Sequence, residues 1–176
     1  MVSFWLANGI GFLTLPLALW QFGLSRSRSQ FLWLNLLSSL CWAAGLGLTG
    51  QETAALVSLT AGVASAGQAL ILRFSSGVWG RRALQAAGVL LAITVVFWLT
   101  PPAAFWSWFP LGAFLYARVI ETFPQILLRW LVPASPLAWI AIAAHAGVYG
   151  LMPADLVAFG GAVFWLWNRY QKNLIP

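Results

Sequence analysis

Arg118 and Glu121 stand three residues apart inside an apolar stretch, a spacing that puts both side chains on one helix face where opposite charges can pair. An ionisable residue within hydrocarbon costs several kcal/mol, so such a pair marks a solute or ion path by default. Counted from Phe105 at the start of that stretch, Arg118 falls about 20 Å into a core about 30 Å thick. The competing reading lets Arg118 snorkel to the headgroups with Glu121 as its exposed partner. His145, the only histidine, can change charge near neutral pH and so relay protons or hydrogen-bond a solute. A packing histidine bonded to a backbone carbonyl is the plainer account. Asn35, with Asn8 and Gln68, places uncharged hydrogen-bonding groups in apolar runs, either to line a cavity or to bridge helices. Pro16 and Pro124, the latter followed by Gln125, are candidate hinges because proline removes a helix hydrogen bond. Asp155 follows Pro153 at a helix start, where dipole stabilisation is the simpler account.

These groups do not assemble into a reaction centre. No Ser/His/Asp set, paired intramembrane carboxylates or glycine-rich phosphate loop is present, so no enzyme and no cofactor is expected. With one histidine, one cysteine and three acids, no metal-ligand cluster forms at useful spacing.

The elements that must position the candidates follow from composition. Of 176 residues, 61% are hydrophobic and 7% charged, against about 25% charged in a soluble domain. The mean hydropathy is +0.86. Too few polar side chains exist to cover a water-facing surface, so the solvent is lipid. Seven apolar runs are long enough, or nearly so, to cross as helices: Phe4–Phe22, Phe31–Leu48, Ala54–Leu72, Ala83–Thr100, Phe105–Pro124, Leu131–Tyr149 and Ala154–Arg169. Turn residues separate them, among them Gly50-Gln51-Glu52, Pro101-Pro102 and Gly150 with Pro153. Met1 to Trp20 lacks a basic leader region and precedes Arg26 and Arg28, which reads as a retained first span. Down the third run Ala54, Ser58, Gly62 and Ala66 form a small-residue stripe that permits close packing and fits a third helix wedged between its two companions.

Charge placement gives an orientation. With the N-terminus outside and the C-terminus cytoplasmic, every lysine and arginine except Arg118 falls in a cytoplasmic loop, while Glu52 and Asp155 fall on the other side. The net charge of +6 is spread between apolar runs, without the dense stripe that a nucleic-acid backbone requires. A weak internal repeat accompanies this layout. Gly11–Phe22 lies against Gly112–Phe123, and Gly50, Ala54, Leu56 and Val57 lie against Gly150, Ala154, Leu156 and Val157. Spans one to three and five to seven then form two like-facing units, with the fourth span as inversion linker.

Phe123-Pro124-Gln125-Ile126 followed by Arg129 resembles the Pro-Gln motif of PQ-loop transporters. The stretch from Trp139 through Tyr149-Gly150-Leu151, Asp155 and Gly161 resembles the last two spans of the SWEET sugar carriers. The opening Trp5-Leu6-Ala7-Asn8-Gly9-Ile10-Gly11, with the chain length, resembles the small bacterial inner-membrane YgjV-type proteins of the same broad superfamily. The resemblance implies a three-plus-one-plus-three helix fold with a solute pathway between the units. It does not extend to a second Pro-Gln, where Gly23-Leu24 stands, nor to the sugar-lining Pro-Asn pair of SWEET carriers, near which Ala158-Phe159 stands.

The expectation is therefore an all-α membrane protein of seven transmembrane helices in a 3+1+3 parallel repeat. Residues 1–73 form the first unit, 74–104 the linker with helix 4, and 105–176 the second unit and tail. Its setting is the bacterial inner membrane, and its partners are the bilayer, a small polar or anionic solute and a second copy of the chain. The expected activity is alternating access between the units; a non-transporting accessory or assembly protein of the same fold is the alternative.

Overall fold

The architecture is that of a computed structural model, which describes residues 2–25, 27–74 and 133–171 with the single positions 77 and 86. The fourth and fifth apolar runs lie outside the described residues, and with them Arg118, Glu121, Pro124 and Gln125. No strand occurs among the described residues, which form α1 (Val2–Phe12), α2 (Thr14–Leu19), a π-helical turn (Trp20–Leu24), α3 (Arg28–Leu48), α4 (Glu52–Phe74), α5 (Ala134–Ala146), a 3₁₀ turn (Tyr149–Leu151) and α6 (Met152–Gln171). Among the described residues four helical stretches are long and apolar enough to cross a membrane: Val2–Leu24, Ser29–Leu48, Glu52–Leu70 and Tyr149–Asn168. At 13 residues α5 is shorter than the sixth apolar run, because a left-handed glycine ends it at Gly147.

Local chemistry explains the boundaries. Pro16 has no N–H for the Phe12 carbonyl, and the helix tightens just upstream, where the Leu13 N–H reaches the Ile10 carbonyl at 3.1 Å. The first rod, Val2–Leu24, is thus jointed at Leu13, within one turn of the candidate hinge Pro16. It ends at Ser25, whose Oγ donates to the Gln21 carbonyl at 2.6 Å. Ser27 caps α3 by accepting from the Gln30 N–H at 3.2 Å. Glu52 in the first turn of α4 and Arg73 in its last turn complement the helix dipole.

Both turns at the far end use the same device. After α3, Gly50 takes φ 77°, and the Gln51 N–H returns to the Leu46 carbonyl at 3.0 Å. After α5, Gly147 takes φ 71°, and the Val148 N–H returns to the Ala143 carbonyl at 2.9 Å. These are Schellman closures, which favour glycine at the left-handed position. Gly50 therefore corresponds in conformation to Gly147, not to Gly150, with which the sequence repeat pairs it. Gly150 lies three residues on, inside the 3₁₀ turn.

Packing overturns one expectation. Among the described residues α3 lies between the first rod and α4, and α4 makes no substantial contact with the first rod. The second helix, not the third, is the central one. The three-residue connection Thr49–Gln51 forces α3 and α4 to be antiparallel neighbours, and the small-residue stripe is used up in that contact. Ser58 Oγ donates to the Ser39 carbonyl at 3.2 Å, and Ala54 is buried. A Cβ on Gly62 would sit 2.9 Å from the Ser39 Cβ and 3.2 Å from Leu36 Cδ1. Replacing Gly62 by Leu is expected to cost about 2 kcal/mol in a micellar unfolding titration. Gly67→Leu, at a position with open space around it, should fall well below that.

On its other side the first rod packs against α6. The two run parallel and in register, since Gly11 meets Gly150 and Phe22 meets Gly161. At the end holding the two turns an apolar core gathers Ala7, Trp42, Leu46, Ala143, Val148 and Leu151. The Trp42 and Trp139 rings meet edge to face at 5.1 Å. Large apolar side chains also cover the outside, with Trp5 70% and Phe164 66% exposed. That surface suits acyl chains.

Candidate functional site

Two polar constellations interrupt the apolar interior, one at each end of the bundle. The first is built from one side chain on each of three neighbouring helices. Gln21 comes from the π-helical turn, Asn35 from α3 and Ser65 from α4. Gln21 Nε2 donates to Asn35 Oδ1 at 3.5 Å, and Asn35 Nδ2 donates to Ser65 Oγ at 2.7 Å. Ser65 Oγ in turn donates to the Ala61 carbonyl at 3.0 Å. Gln68 is buried one helical turn beyond Ser65. The central position of α3 makes this chain of bonds possible, because only α3 reaches both flanking helices.

At the opposite end Asn8 clamps the first rod to the 147–151 turn. Its Nδ2 donates to the Phe4 carbonyl at 3.0 Å and to the Gly147 carbonyl at 3.3 Å. Its Oδ1 accepts the Gly150 N–H at 2.8 Å. The Gly147 carbonyl and the Gly150 N–H, which hydrocarbon would leave orphaned, are both satisfied by one amide. Backbone meets backbone beside it: a Cβ on Gly11 would lie 2.8 Å from the Gly150 carbonyl carbon, and one on Gly150 would collide with the Asn8 carbonyl oxygen. Gly45 completes the socket, facing Val148 and Leu151 side chains.

The structure thus separates residues that the sequence had grouped. Asn8 and Asn35 both bridge helices, at opposite ends. His145 is exposed on the last turn of α5, away from the Asn35 cluster. Asp155 stands in the first turn of α6 with a buried Oδ2 that has no hydrogen-bond partner. The sequence reading missed Gln21, whose only signal is that it is the one amide near the C-terminal end of the first apolar run. Thr14, fully buried with its Oγ1 donating to the Gly11 carbonyl at 2.6 Å, was missed too. It satisfies a carbonyl next to the joint at Leu13.

Chemically, both constellations offer hydrogen bonds without formal charge. Neither holds a nucleophile beside a base, and no three of His, Cys, Asp and Glu come together among the described residues. The arrangement can hold uncharged polar groups and can seal one end of the bundle. Comparison with family models, curated proteins and solved structures returns no match.

Proposed function

We propose that the chain is a multi-pass protein of the bacterial inner membrane that carries a small solute by alternating access. Its seven spans form a 3+1+3 parallel repeat, with the N-terminus outside and the C-terminus cytoplasmic. The observation that carries this reading is the asymmetry of the interior. The end with the two glycine turns is closed by apolar packing around Val148 and Leu151 and by the Asn8 amide, whose bonds all go to backbone groups, while the other end holds the Gln21–Asn35–Ser65 chain of side chains, with Asn35 still partly exposed. A path closed at one end and polar toward the other is one state of an alternating carrier.

Two further facts support the span count and orientation. The end of α4 and the start of α5 lie at the same end of the bundle, since α4 and α6 both run parallel to the first rod and α5 runs against α6. An even number of crossings must join them, and Ala83–Thr100 and Phe105–Pro124 supply two. The cations of the described helices, Arg28, Arg73 and Arg169, stand at that end.

Uptake into proteoliposomes, screened over small polar and anionic solutes, tests the reading. A transported solute whose uptake falls at least about tenfold in Arg118→Ala places that residue on the path. Uptake indifferent to the change removes Arg118 from the mechanism. No uptake across the screen by correctly inserted protein favours the second reading, a non-transporting accessory subunit. The apolar, close-packed seam of Ala7, Trp42, Leu46, Val148 and Leu151 is the observation on its side.

A further inference from the structure

The first rod and α4 flank α3 without closing on each other among the described residues, which leaves a strip of α3 between two helical walls. Gln21 projects from one wall and Ser65 from the other, both buried, whereas Asn35 on the floor keeps partial exposure. Among the described residues the strip carries no charge: two carboxamides, a hydroxyl, and Gln68 one turn further along. A primary amide has two N–H donors and an oxygen with two lone pairs. After the bonds described above, Gln21 keeps one N–H and its oxygen, and Asn35 keeps one N–H and one lone pair. The joint between them is the weak one. At 3.5 Å the Gln21–Asn35 bond is at the limit of a useful hydrogen bond, while Asn35–Ser65 at 2.7 Å is strong.

We propose that this strip of α3, between the first rod and α4, binds a small uncharged solute bearing a carboxamide, which inserts at the Gln21–Asn35 joint. A carboxamide sets a donor and an acceptor side by side and can replace the long bond with two shorter ones. An ion of the same shape meets no countercharge among the described residues of the strip and loses its hydration on arrival. The site lies within the first three helices and does not depend on the carrier reading, because an accessory protein could hold the same ligand.

Acetamide, acetate and acetamidinium share one shape and differ in charge, so they isolate this point. Binding of each to the full chain in detergent micelles can be followed by saturation-transfer NMR, with protein-free micelles as blank. Acetamide is expected to bind, and each ion to bind at least about tenfold more weakly. Asn35→Leu should abolish acetamide binding, with helix content checked by circular dichroism; if that variant does not fold, Gln21→Met decides. No acetamide signal above the blank, an ion that matches acetamide, or unchanged binding in the folded variant would each overturn the proposal. None of these readouts involves transport, so failure here and failure of the carrier reading are separate results.

Discussion

Gly150→Ala is expected to destabilise the protein by about 3 kcal/mol, the largest effect of any single methyl group in the described structure. The added carbon would land on the Asn8 backbone, 2.9 Å from its carbonyl carbon and 3.1 Å from its Cα. A side chain in that position could rotate aside, but a helix backbone cannot. Relief requires the first rod to move off the 147–151 turn. That movement stretches the Gly150 N–H bond to Asn8 Oδ1, 2.8 Å in the native contact, and opens the apolar packing of Val148 and Leu151. Gly11→Ala approaches the same contact from the other side and should behave alike. Gly160→Ala, on the same helix as the 3₁₀ turn feeds, has nothing within 4 Å. It should be neutral or slightly stabilising, since alanine favours helix over glycine by about 1 kcal/mol. Unfolding by sodium dodecyl sulfate in mixed micelles measures all three. Equal midpoints for Gly150→Ala and Gly160→Ala would contradict the close approach.

The second large effect belongs to Asn8. Asn8→Leu keeps the branching and the number of side-chain heavy atoms but removes two donated bonds and one accepted bond. The buried Gly150 N–H is left with no acceptor, so a loss of about 2–3 kcal/mol is expected. Asn8→Asp is the informative companion. It still offers an oxygen to Gly150, yet it turns a second oxygen toward the Phe4 and Gly147 carbonyls, where the native amide donates. Aspartate should therefore do no better than leucine, although it differs from asparagine by a single group. A double-mutant cycle adds a check. Asn8→Leu and Gly150→Ala disrupt one contact, so together they should cost clearly less than the sum of their separate effects. Strict additivity would mean that the amide and the glycine act independently.

Much of this could be read before any coordinates, and the reasons differ by residue. The first three apolar runs agree with helices to within a few residues, because length and hydropathy fix a span without reference to its neighbours. The break at Leu13 was legible in outline because Pro16, within one turn of it, acts on its own helix. The small-residue stripe of α4 was visible as a pattern, but its partner was not: the same four residues could serve a wedge or a hairpin, and α3 took them. Gly150 looked like one more turn glycine in a repeat. Its real constraint comes from Asn8, 142 positions away in the chain. Gln21 carried no mark at all, since a lone amide near a span end is ordinary until α3 brings Asn35 to it.

Composition pointed to hydrocarbon as the surroundings, and apolar runs of span length pointed to helix as the element, because in lipid a helix satisfies its own backbone groups. Periodicity and turn residues then marked where those helices begin and stop, which are local matters. Which amide meets which partner is not local. In lipid the exterior is as apolar as the core, so burial does not tell one helix face from another. That choice falls to close backbone approach at Gly11, Gly62 and Gly150, and to the few polar groups that must find each other across the bundle.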